Sequence, residues 1–403
     1  MRFLHTADWH LGRLFHGVHL TRDQEHVLGQ LIDLVAEARP DAVLLAGDVY
    51  DRAVPPVEAV ELLNHVCEQV VLRLGVPLLC IAGNHDSGSR LGFAAGLLGG
   101  QGLHVAGRVA GSPPVVTLRD GHGPVHVCLL PFADPAEARA AYGHDALHDQ
   151  QAVVGEGVAR ALAGLPAGER RLALAHTFVA GGEPSESERP LSVGGATEVA
   201  AATFAGFDYV ALGHLHRPQA AGGGRLRYAG SLLKYSFDEH DQRKSVALVE
   251  VGPPGSAAEP GRPAAARVTV ETVALAPRHD VRRLEGTLAG LLAAAARDPR
   301  RDDYVLAVLS DEGELYDPLG RLREAYPNVL AIERPQAALP EAGQAGRARR
   351  AASDLELYAG FHEYVTGAPA GDDALAEVAR VLAAVERRRR EAGPSDSAAE
   401  DAP

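Results

Sequence analysis

The sequence predicts a layered α/β fold, and three observations support this. Short apolar segments, each too short for a helix, recur through the first two thirds of the chain. Each segment is followed by a polar turn that contains Gly or His. A longer segment between the first two carries its apolar residues on one helical face. Strands that alternate with helices are typical of layered α/β folds.

The strands and helices of this fold follow in order along the chain. The predicted strands cover residues 2–6, 42–46, 77–82, 172–175 and 209–212. Between the first two strands, Thr21 and Gln24 have the spacing of a capping box, and Pro40 ends the predicted helix. A second helix is predicted over residues 57–74.

Other segments predict antiparallel pairing. Residues 115–118 and 125–129 flank Asp120-Gly121 and form a predicted hairpin. Residues 225–228, 245–251 and 268–273 form a later antiparallel section. The Pro/Gly/Ala-rich segment 253–266 is interpreted as a long hairpin loop rather than an interdomain linker, because alternating β-branched residues resume directly after it.

A domain boundary is predicted near residues 276–280. A compact α/β unit is expected beyond it, with a helix over 281–296, a strand over 304–309, a helix over 317–326 and a strand over 329–332. A loop over 335–350 and helices near 354–365 and 372–390 follow. The polar tail 393–403 is expected to be disordered.

Composition excludes several classes of protein. The net charge of −14 argues against a protein that grips a polyanion by bulk charge, so any nucleic-acid function needs another source of attraction. Cys67, Cys80 and Cys128 are odd in number and have no C-x-x-C spacing, which argues against a disulfide framework or a thiolate metal site. No apolar run reaches the ~18 residues of a membrane span, and no signal peptide is evident. A cytoplasmic protein is expected.

The polar residues that follow the strands predict a metal site. They are Asp8, His10, Asp48, Asn84, His176, His214 and His216. Groups at the carboxyl ends of strands gather at one edge of an α/β sheet, where ligands bind. In Asp8-x-His10 and His214-x-His216, the alternation sends both side chains to one side. Oxygen and nitrogen donors without sulfur favour Mn, Fe, Zn or Co over Ca or Mg.

The order D-x-H, G-D-x-x-D, G-N-H-D, H, G-H-x-H resembles the calcineurin-like metallophosphoesterase superfamily. The wording around it is similar to the SbcD family, the nuclease components of bacterial SbcCD exonucleases: HTADWHLG (5–12), AGDVYDRAVPP (46–56), IAGNHDS (81–87), ALGHLHRPQ (211–219) and YAGSLLKYSFDE (228–239). The likeness extends to about residue 366 and includes DPLGRLREAYPNVL (317–330). It implies a four-layered sandwich with a small α/β capping domain and C-terminal helices.

The resemblance also implies roles for individual residues. The expected ligands are Asp8, His10 and His216 for one ion, Asn84, His176 and His214 for the other, and Asp48 as the bridge between them. His85 matches the catalytic histidine, which stabilises the strained phosphate or protonates the leaving 3′ oxygen, and Asp86 is expected to orient it. The cofactors implied are two divalent ions, Mn²⁺ first, with Mg²⁺, Fe or Co as alternatives.

Residues near the motifs are candidates for DNA contact or support of the site. The DNA-contact candidates are Arg13, His16, Arg52, Arg90, Lys234 and Tyr235. Asp51 is a candidate for phosphate contact or for support of the ligands, and Trp9 for packing. In the last helix, Leu375, Val378, Leu382 and Val385 form a coiled-coil-like seam that docks either on a partner or on its own domain.

The function expected from this resemblance is a metal-dependent, ATP-regulated DNA nuclease. It acts as a 3′–5′ exonuclease on double-strand ends and as an endonuclease on hairpins and single strands, in DNA repair, recombination and replication. The expected partners are DNA, the SMC-like ATPase SbcC and a second copy of the chain within a heterotetramer. The expected division is a nuclease domain (1–276), a capping domain (277–366) and a partner-binding helix (367–392). The alternatives are a small-molecule phosphoesterase or nucleotidase, and a non-catalytic protein that bridges DNA ends.

Overall fold

The computed structural model describes residues 1–188, 198–255, 266–313, 315–334, 354–366 and 369–391. The side chains of residues 354, 363–366 and 383–391 are outside this description. The predicted loop over 335–350 and the predicted disordered tail over 393–403 lie outside the described residues. By their contacts, residues 1–333 form one compact unit and residues 334–403 a second. The predicted domain division stays a prediction.

Short strands occupy much of the first unit. They are β1 Arg2–Thr6, β2 Leu14–Phe15, β3 Val18–His19, β4 Ala42–Ala46, β5 Leu78–Ile81, β6 Leu103–Ala106, β7 Val115–Asp120, β8 Gly123–Leu130, β9 Arg170–His176, β10 Phe178–Val179, β11 Glu198–Val199, β12 Tyr209–Gly213, β13 Gln219–Ala221, β14 Leu226–Tyr228, β15 Ser245–Val251, β16 Val268–Ala274, β17 Val281–Gly286, β18 Tyr304–Leu309 and β19 Val329–Glu333.

Helices separate many of these strands. They are α1 Thr21–Ala38, α2 Val57–Cys67, α3 Gly88–Leu91, α4 Ala95–Leu98, α5 Pro135–Tyr142, α6 Gln150–Ala163, α7 Leu288–Ala295, α8 Pro318–Ala325, α9 Asp354–Thr366 and α10 Asp372–Glu391. The predicted second helix continues past α2 as a π-helix, Glu68–Arg73. Single 3₁₀ turns lie at Gly99–Gln101, Ala201–Phe204 and Phe237–Asp241.

Two six-stranded sheets form the core of the first unit. The first has the order β16-β15-β1-β4-β5-β6, and β1, β4, β5 and β6 run parallel. The second has the order β13-β14-β12-β9-β8-β7, with β14, β12, β9 and β8 parallel. The parallel strands are joined by crossover connections, as parallel pairing requires, and helices lie in several of them. The sequence prediction of alternating strands and helices is confirmed.

The sheets stack face to face and each carries helices on its outer side. Phe3, Leu44 and Leu79 of the first sheet pack against Leu174 and Tyr209 of the second. On the outer face of the first sheet, alternate residues such as Leu4 and Val43 pack on α1 and α2, and on that of the second, Cys128 and Val210 pack on α6. Because successive side chains point to opposite faces, the central strands are apolar on both sides. The four-layered sandwich implied by the resemblance is confirmed.

A third, smaller sheet follows the two large ones. The strands β17, β18 and β19 are parallel and are covered by α7 and α8, with Leu291, Val305 and Leu322 in their core. The prediction of a helix over 281–296 is wrong for its first six residues. Residues 281–286 pair with β18, and the helix begins only after Thr287, whose side chain caps it by accepting from the amide of Gly290. Val281 and Leu284 have the three-residue spacing of a helical turn, and pairing with β18 overrides this local pattern.

The hairpin predictions are confirmed. The strands β7 and β8 pair antiparallel through a turn at residues 121–122. The strands β15 and β16 pair antiparallel from Ser245↔Ala274 to Val251↔Val268, so the segment between them joins two neighbouring strands. Within that segment, residues 256–265 lie outside the described part of the chain. The assignment of a third strand, β14, to this antiparallel section is wrong, because β14 lies in the other large sheet, antiparallel to β13 and parallel to β12.

The second unit contains α9 and α10, which contact each other. In α10 the seam residues Leu375, Val378 and Leu382 are half-buried, and the side chain of Val385 is not described. Both helices lie within two residues of the positions that the sequence predicts. Among the helices that the structure describes, none is long and apolar enough to cross a membrane.

Candidate metal centre and active site

The seven predicted ligands converge at one edge of the sandwich. The first sheet contributes Asp8 and His10 after β1, Asp48 after β4 and Asn84 after β5, and the second contributes His176 at the end of β9 and the pair His214 and His216 after β12. All are buried except Asn84, which is half-buried. The carboxyl ends of parallel strands from both sheets therefore meet here, as α/β topology predicts.

Donor atoms in this cluster lie close enough to share ions. The Nε2 atoms of His10 and His216 are 3.0 Å apart. The Oδ2 atom of Asp48 lies 3.6 Å from His10 Nε2 and 3.5 Å from His176 Nε2, so this carboxylate stands between two groups of ligands. Asn84 Oδ1 is 2.9 Å from His176 Nε2. Two triplets, Asp8/His10/His216 and Asp8/Asp48/His176, each offer donor atoms within 4.8 Å of one another.

The backbone at the ligands is strained. Asp8, His10, Asp48 and His214 have positive φ angles of 53°, 46°, 48° and 110°. Such conformations in non-glycine residues cost about 1–3 kcal/mol each, and the surrounding structure must hold them. The amide of Asp8 donates to the carbonyl of Gly47, and that of His10 to the carbonyl of Asp48. The two loops of the first sheet thus fix each other, and this fixes the direction of their side chains.

Two glycines permit the close approach of ligand-bearing segments. A Cβ atom at Gly83 would lie 2.2 Å from Asp48 Oδ1. A Cβ atom at Gly213 would lie 1.8 Å from the carbonyl oxygen of Ala46, across the gap between the two sheets. The same carbonyl is 2.9 Å from Nδ1 of His176. A side chain at Gly213 would therefore separate the sheets at the edge where the ligands meet.

We expect Gly213→Ala to lower the unfolding midpoint, with a loss of about 3 kcal/mol from overpacking. The reason is that a backbone carbonyl, unlike a flexible side chain, cannot move aside without shifting β4. Guanidinium unfolding followed by circular dichroism measures this. The matched control is Gly29→Ala in α1, which has nothing within 4 Å of the added Cβ and gains helix propensity. Equal midpoints for the two variants would contradict the expected clash.

The chemistry of the buried donors fits divalent cations. Burial, and then the neighbouring Asp48, raise the pKa of Asp8 well above its ordinary value. Burial and the nearby histidines lower the pKa values of His10 and His214. Asp8 Oδ2 and His10 Nδ1 are buried without a hydrogen-bond partner. Carboxylates that repel each other beside neutral imidazoles, with unpartnered donor atoms, form a ligand set that a cation satisfies.

His85 lies beside this cluster. Its Nδ1 is 2.8 Å from the carbonyl oxygen of Asp51, which accepts the Nδ1 proton and leaves Nε2 facing Asp48 Oδ2 at 3.9 Å. The expected orientation of His85 by Asp86 is wrong. Asp86 accepts hydrogen bonds from the amides of Val49, Tyr50 and Gly83 and so clamps the loops after β4 and β5. Burial of its carboxyl group, with a smaller effect of Asp48, raises the pKa of Asp86 to about 7.

Asp51, the last residue of the G-D-x-x-D motif, contacts both a predicted ligand and a DNA-contact candidate. Its Oδ1 lies 3.7 Å from His10 Nδ1 and accepts from Arg13 Nη1 at 2.8 Å. Asp51, His10 and His85 form a third triplet of close donor atoms. Trp9 is fully buried and donates from Nε1 to Thr6 Oγ1, in agreement with a packing role.

The DNA-contact candidates divide into two groups. Arg13 is half-buried over the ring of Tyr235, whereas His16, Arg52 and Arg90 are exposed. Lys234 and Tyr235 are buried, which contradicts their assignment to DNA contact. Lys234 Nζ pairs with Asp280 at 2.8 Å, and the hydroxyl of Tyr235 donates to the carbonyl of Trp9. Both side chains therefore make polar contacts inside the protein.

The sequence analysis missed several buried polar residues around the ligands. Ser187, Glu239 and Lys244 lie behind His216, and Gln24 lies behind His10. Gln24 is not part of a capping box, because its side-chain amide donates to the carbonyls of Trp9 and His10 and α1 has no side-chain cap. Burial opposes the ionisation of Glu239, but the charge of Lys244 outweighs it and holds the pKa of Glu239 well below its usual range. One signal was available, since Lys234 and Lys244 are the chain's two lysines among many arginines.

Comparisons with known proteins show what this chain is similar to. Residues 1–218 match the calcineurin-like phosphoesterase family, and residues 277–366 match a family described as the type 5 capsule protein repressor C-terminal domain. The SbcD component of nuclease SbcCD from Staphylococcus saprophyticus is 30% identical over 332 residues, which is 82% of this chain and 84% of that protein. The SbcD component from Staphylococcus epidermidis is 29% identical over 333 residues, 82% of this chain and 85% of that one. A dimetal phosphatase from Danio rerio superposes over 68% of this chain and 99% of its own, with 13% identity and a TM-score of 0.35.

The two-sheet fold and its Asp/Asn/His edge define a metallophosphoesterase, and the chain belongs to the calcineurin-like phosphoesterase family. Within it, the chain is a member of the SbcD group of nucleases. It is accordingly a phosphodiester hydrolase.

Proposed function

We propose that the chain is the Mn²⁺-dependent nuclease of a complex with the SMC-like ATPase SbcC. In this complex it degrades double-stranded DNA ends from 3′ to 5′ and cleaves hairpins and single strands, under the control of ATP. Its processes are DNA repair, recombination and replication, in the cytoplasm and at the nucleoid. The observation that carries the proposal is the complete set of seven donors at one edge of the sandwich, with His85 beside it.

The ligand assignment is the one that the family resemblance implies, and the Asp8/His10/His216 triplet of close donor atoms supports its first half. Asp8, His10 and His216 would hold one ion, and Asn84, His176 and His214 the other, with Asp48 shared between them. Nδ1 of His176 is engaged by the carbonyl of Ala46, which leaves Nε2 for a metal. Such a pair of ions supplies Lewis acidity and lowers the pKa of a bound water.

The protein groups then have separate tasks. His85 holds its Nδ1 proton on the carbonyl of Asp51 and presents Nε2 to the substrate side. In the doubly protonated form, the Nε2 proton would stabilise the phosphate or pass to the departing 3′ oxygen, leaving His85 neutral. Arg13, Arg52, Arg90 and His16 are the remaining candidates for phosphate contact. Asp86 acts on the loops, through the three amides from which it accepts hydrogen bonds.

Exposed apolar side chains support the proposed assembly. Val57, Val60, Leu72, Phe93 and Leu97 are large apolar side chains that are 44–81% exposed, from α2 to α4. Apolar groups exposed at this density mark a protein contact, and we assign this one to the second copy of the chain. We assign α10, within the partner-binding segment 367–392, to SbcC. The capping domain 277–366 would contain the third sheet and cover the DNA.

A cleavage assay tests the function. Purified protein with Mn²⁺ is offered labelled duplex, hairpin DNA and p-nitrophenyl phosphate, with and without the ATPase and ATP, and EDTA is the control. We expect duplex and hairpin cleavage that EDTA abolishes. Cleavage of the monoester alone would indicate a small-molecule phosphoesterase. Absence of cleavage in every condition, including that with the ATPase, would favour a non-catalytic protein that bridges DNA ends.

A further inference from the structure

A chain of buried polar groups lies behind the ring of His216. Its Nδ1 atom is 2.5 Å from Ser187 Oγ, and the Ser187 hydroxyl in turn contacts Glu239 Oε1. Glu239 Oε2 pairs with Lys244 Nζ at 2.6 Å. Ser187, Glu239 and Lys244 are 7%, 0% and 6% exposed. None of these three residues is among the ligands assigned above.

The carboxylate of Glu239 determines the direction of the hydrogen bonds in this series of polar groups. An ionised carboxylate only accepts, so the single hydroxyl proton of Ser187 is donated to Glu239. The oxygen of Ser187 is then an acceptor, and Nδ1 of His216 must be the donor. His216 therefore carries its proton on Nδ1 and presents the lone pair of Nε2, which lies 3.0 Å from Nε2 of His10. This is the tautomer that a metal requires at Nε2.

Lys244 contacts both the Glu239 carboxylate and the backbone carbonyl of His216. Its Nζ donates to Glu239, to the Gln242 side chain at 2.7 Å and to the carbonyl of His216 at 2.8 Å. Three acceptors around one nitrogen suit a compact ammonium group better than a planar guanidinium. The same lysine thus keeps Glu239 ionised and fixes the main chain that carries the His216 ring.

We propose that Ser187, Glu239 and Lys244 are positioning residues that set the tautomer and the orientation of His216 for metal binding. The proposal rests on the function proposed above, because it assumes that His216 is a metal ligand. A purely structural role would stabilise the fold without any specific effect on metal affinity. The two roles therefore differ in what the removal of one hydroxyl does to Mn²⁺ binding.

The test is a Mn²⁺ titration of the full-length chain, read by calorimetry and by quenching of Trp9, the one tryptophan, which lies between Asp8 and His10. We expect Ser187→Ala to weaken the binding of one of the two ions by about 10–100-fold, as is typical when a partner of a metal-bound histidine is lost. Ser187→Thr retains the hydroxyl and is expected to bind within a few-fold of the wild type. Glu239→Gln, whose amide can also donate, is expected to weaken binding as Ser187→Ala does.

A second hydroxyl–histidine–carboxylate arrangement provides the matched control. Thr117 Oγ1 is 2.9 Å from Nδ1 of His126, and Nε2 of His126 is 2.5 Å from Glu169. His126 lies in the middle of β8, whereas the ligands lie at or beyond the carboxyl ends of strands. Thr117→Ala is therefore expected to leave Mn²⁺ binding unchanged.

Two results would overturn the positioning role. One is Ser187→Ala with wild-type Mn²⁺ affinity, and the other is Thr117→Ala with the same loss as Ser187→Ala. If Ser187→Ala fails to fold, the comparison of Glu239→Gln with the wild type decides the question in the same titration. A wild-type protein that binds no Mn²⁺ would instead contradict the proposed function itself, so the two failures are distinguishable.

Discussion

His85→Asn is expected to lower the rate of phosphodiester hydrolysis by about 10²–10⁴-fold, the usual contribution of a positioned proton donor, while Mn²⁺ uptake stays at the wild-type level. The reason is geometric. His85 Nδ1 is engaged by the Asp51 carbonyl, and its Nε2 lies 3.9 Å from Asp48, beside the donor cluster. Asparagine retains a donor for the carbonyl but has no group that delivers a proton. Single-turnover cleavage of labelled duplex and metal analysis of the same sample measure the two quantities.

The control for this variant is His148→Asn. His148 is exposed, so the same exchange of side chains should leave cleavage unchanged. Loss of Mn²⁺ from His85→Asn would show that His85 is a ligand, which its place in a triplet with His10 and Asp51 makes a real alternative. Undiminished cleavage would remove His85 from the mechanism.

Asp48→Asn is expected to retain fewer than one Mn²⁺ ion per chain, against the two proposed for the wild type, and to reduce cleavage to background. Asp48 Oδ2 lies within 3.6 Å of histidines from both ligand groups, and Oδ1 accepts from the amide of His85 at 2.9 Å. An amide is close to isosteric but lacks the negative charge that a shared position between two dications needs. Metal analysis after gel filtration, on the wild type and the variant side by side, gives the stoichiometry.

The opposite end of the same strand offers the control for this change. Asp41 directly precedes β4, and its carboxylate accepts from the amide of Arg2 at 2.8 Å. Asp41→Asn removes a carboxylate of the same type and is expected to retain both ions. Retention of two ions by Asp48→Asn would refute the bridging assignment.

Much of the fold and the choice of site residues follow from the sequence. Strands can be recognised from local patterns, and α/β topology then places the turns that follow them. Short apolar segments that each end in a polar turn must bring those turns to one edge if the strands run parallel. Residues 281–286 show where the approach fails. The spacing of Val281 and Leu284 favours a helical turn, and only pairing with the neighbouring strand β18 makes the segment a strand.

The residues that support the ligands could not be predicted in the same way. Ser187 reaches His216 across 29 positions of sequence, and Gln24 reaches Tyr235 across 211. These partners are chosen by packing, which leaves no fixed spacing in the chain. The sequence does not show which polar side chains are buried. For this reason it predicts Lys234 and Tyr235, which lie near a motif, to be surface groups. An isolated lysine among arginines is the kind of local irregularity that identifies such a position.

The division of the ligands between two sheets has a consequence for how the molecule folds. Asp8 and His214 are joined by a hydrogen bond although 206 residues separate them, and neither half of the ligand set is complete without the other sheet. The ligand cluster can therefore form only after the two sheets have packed together. This happens late in folding and costs the entropy of closing a large loop. Ions that recognise only the closed sandwich stabilise it by mass action, by about 2.7 kcal/mol at one hundred times their dissociation constant. The metal supply would then determine how long a folded chain survives heat, as well as how fast it cuts.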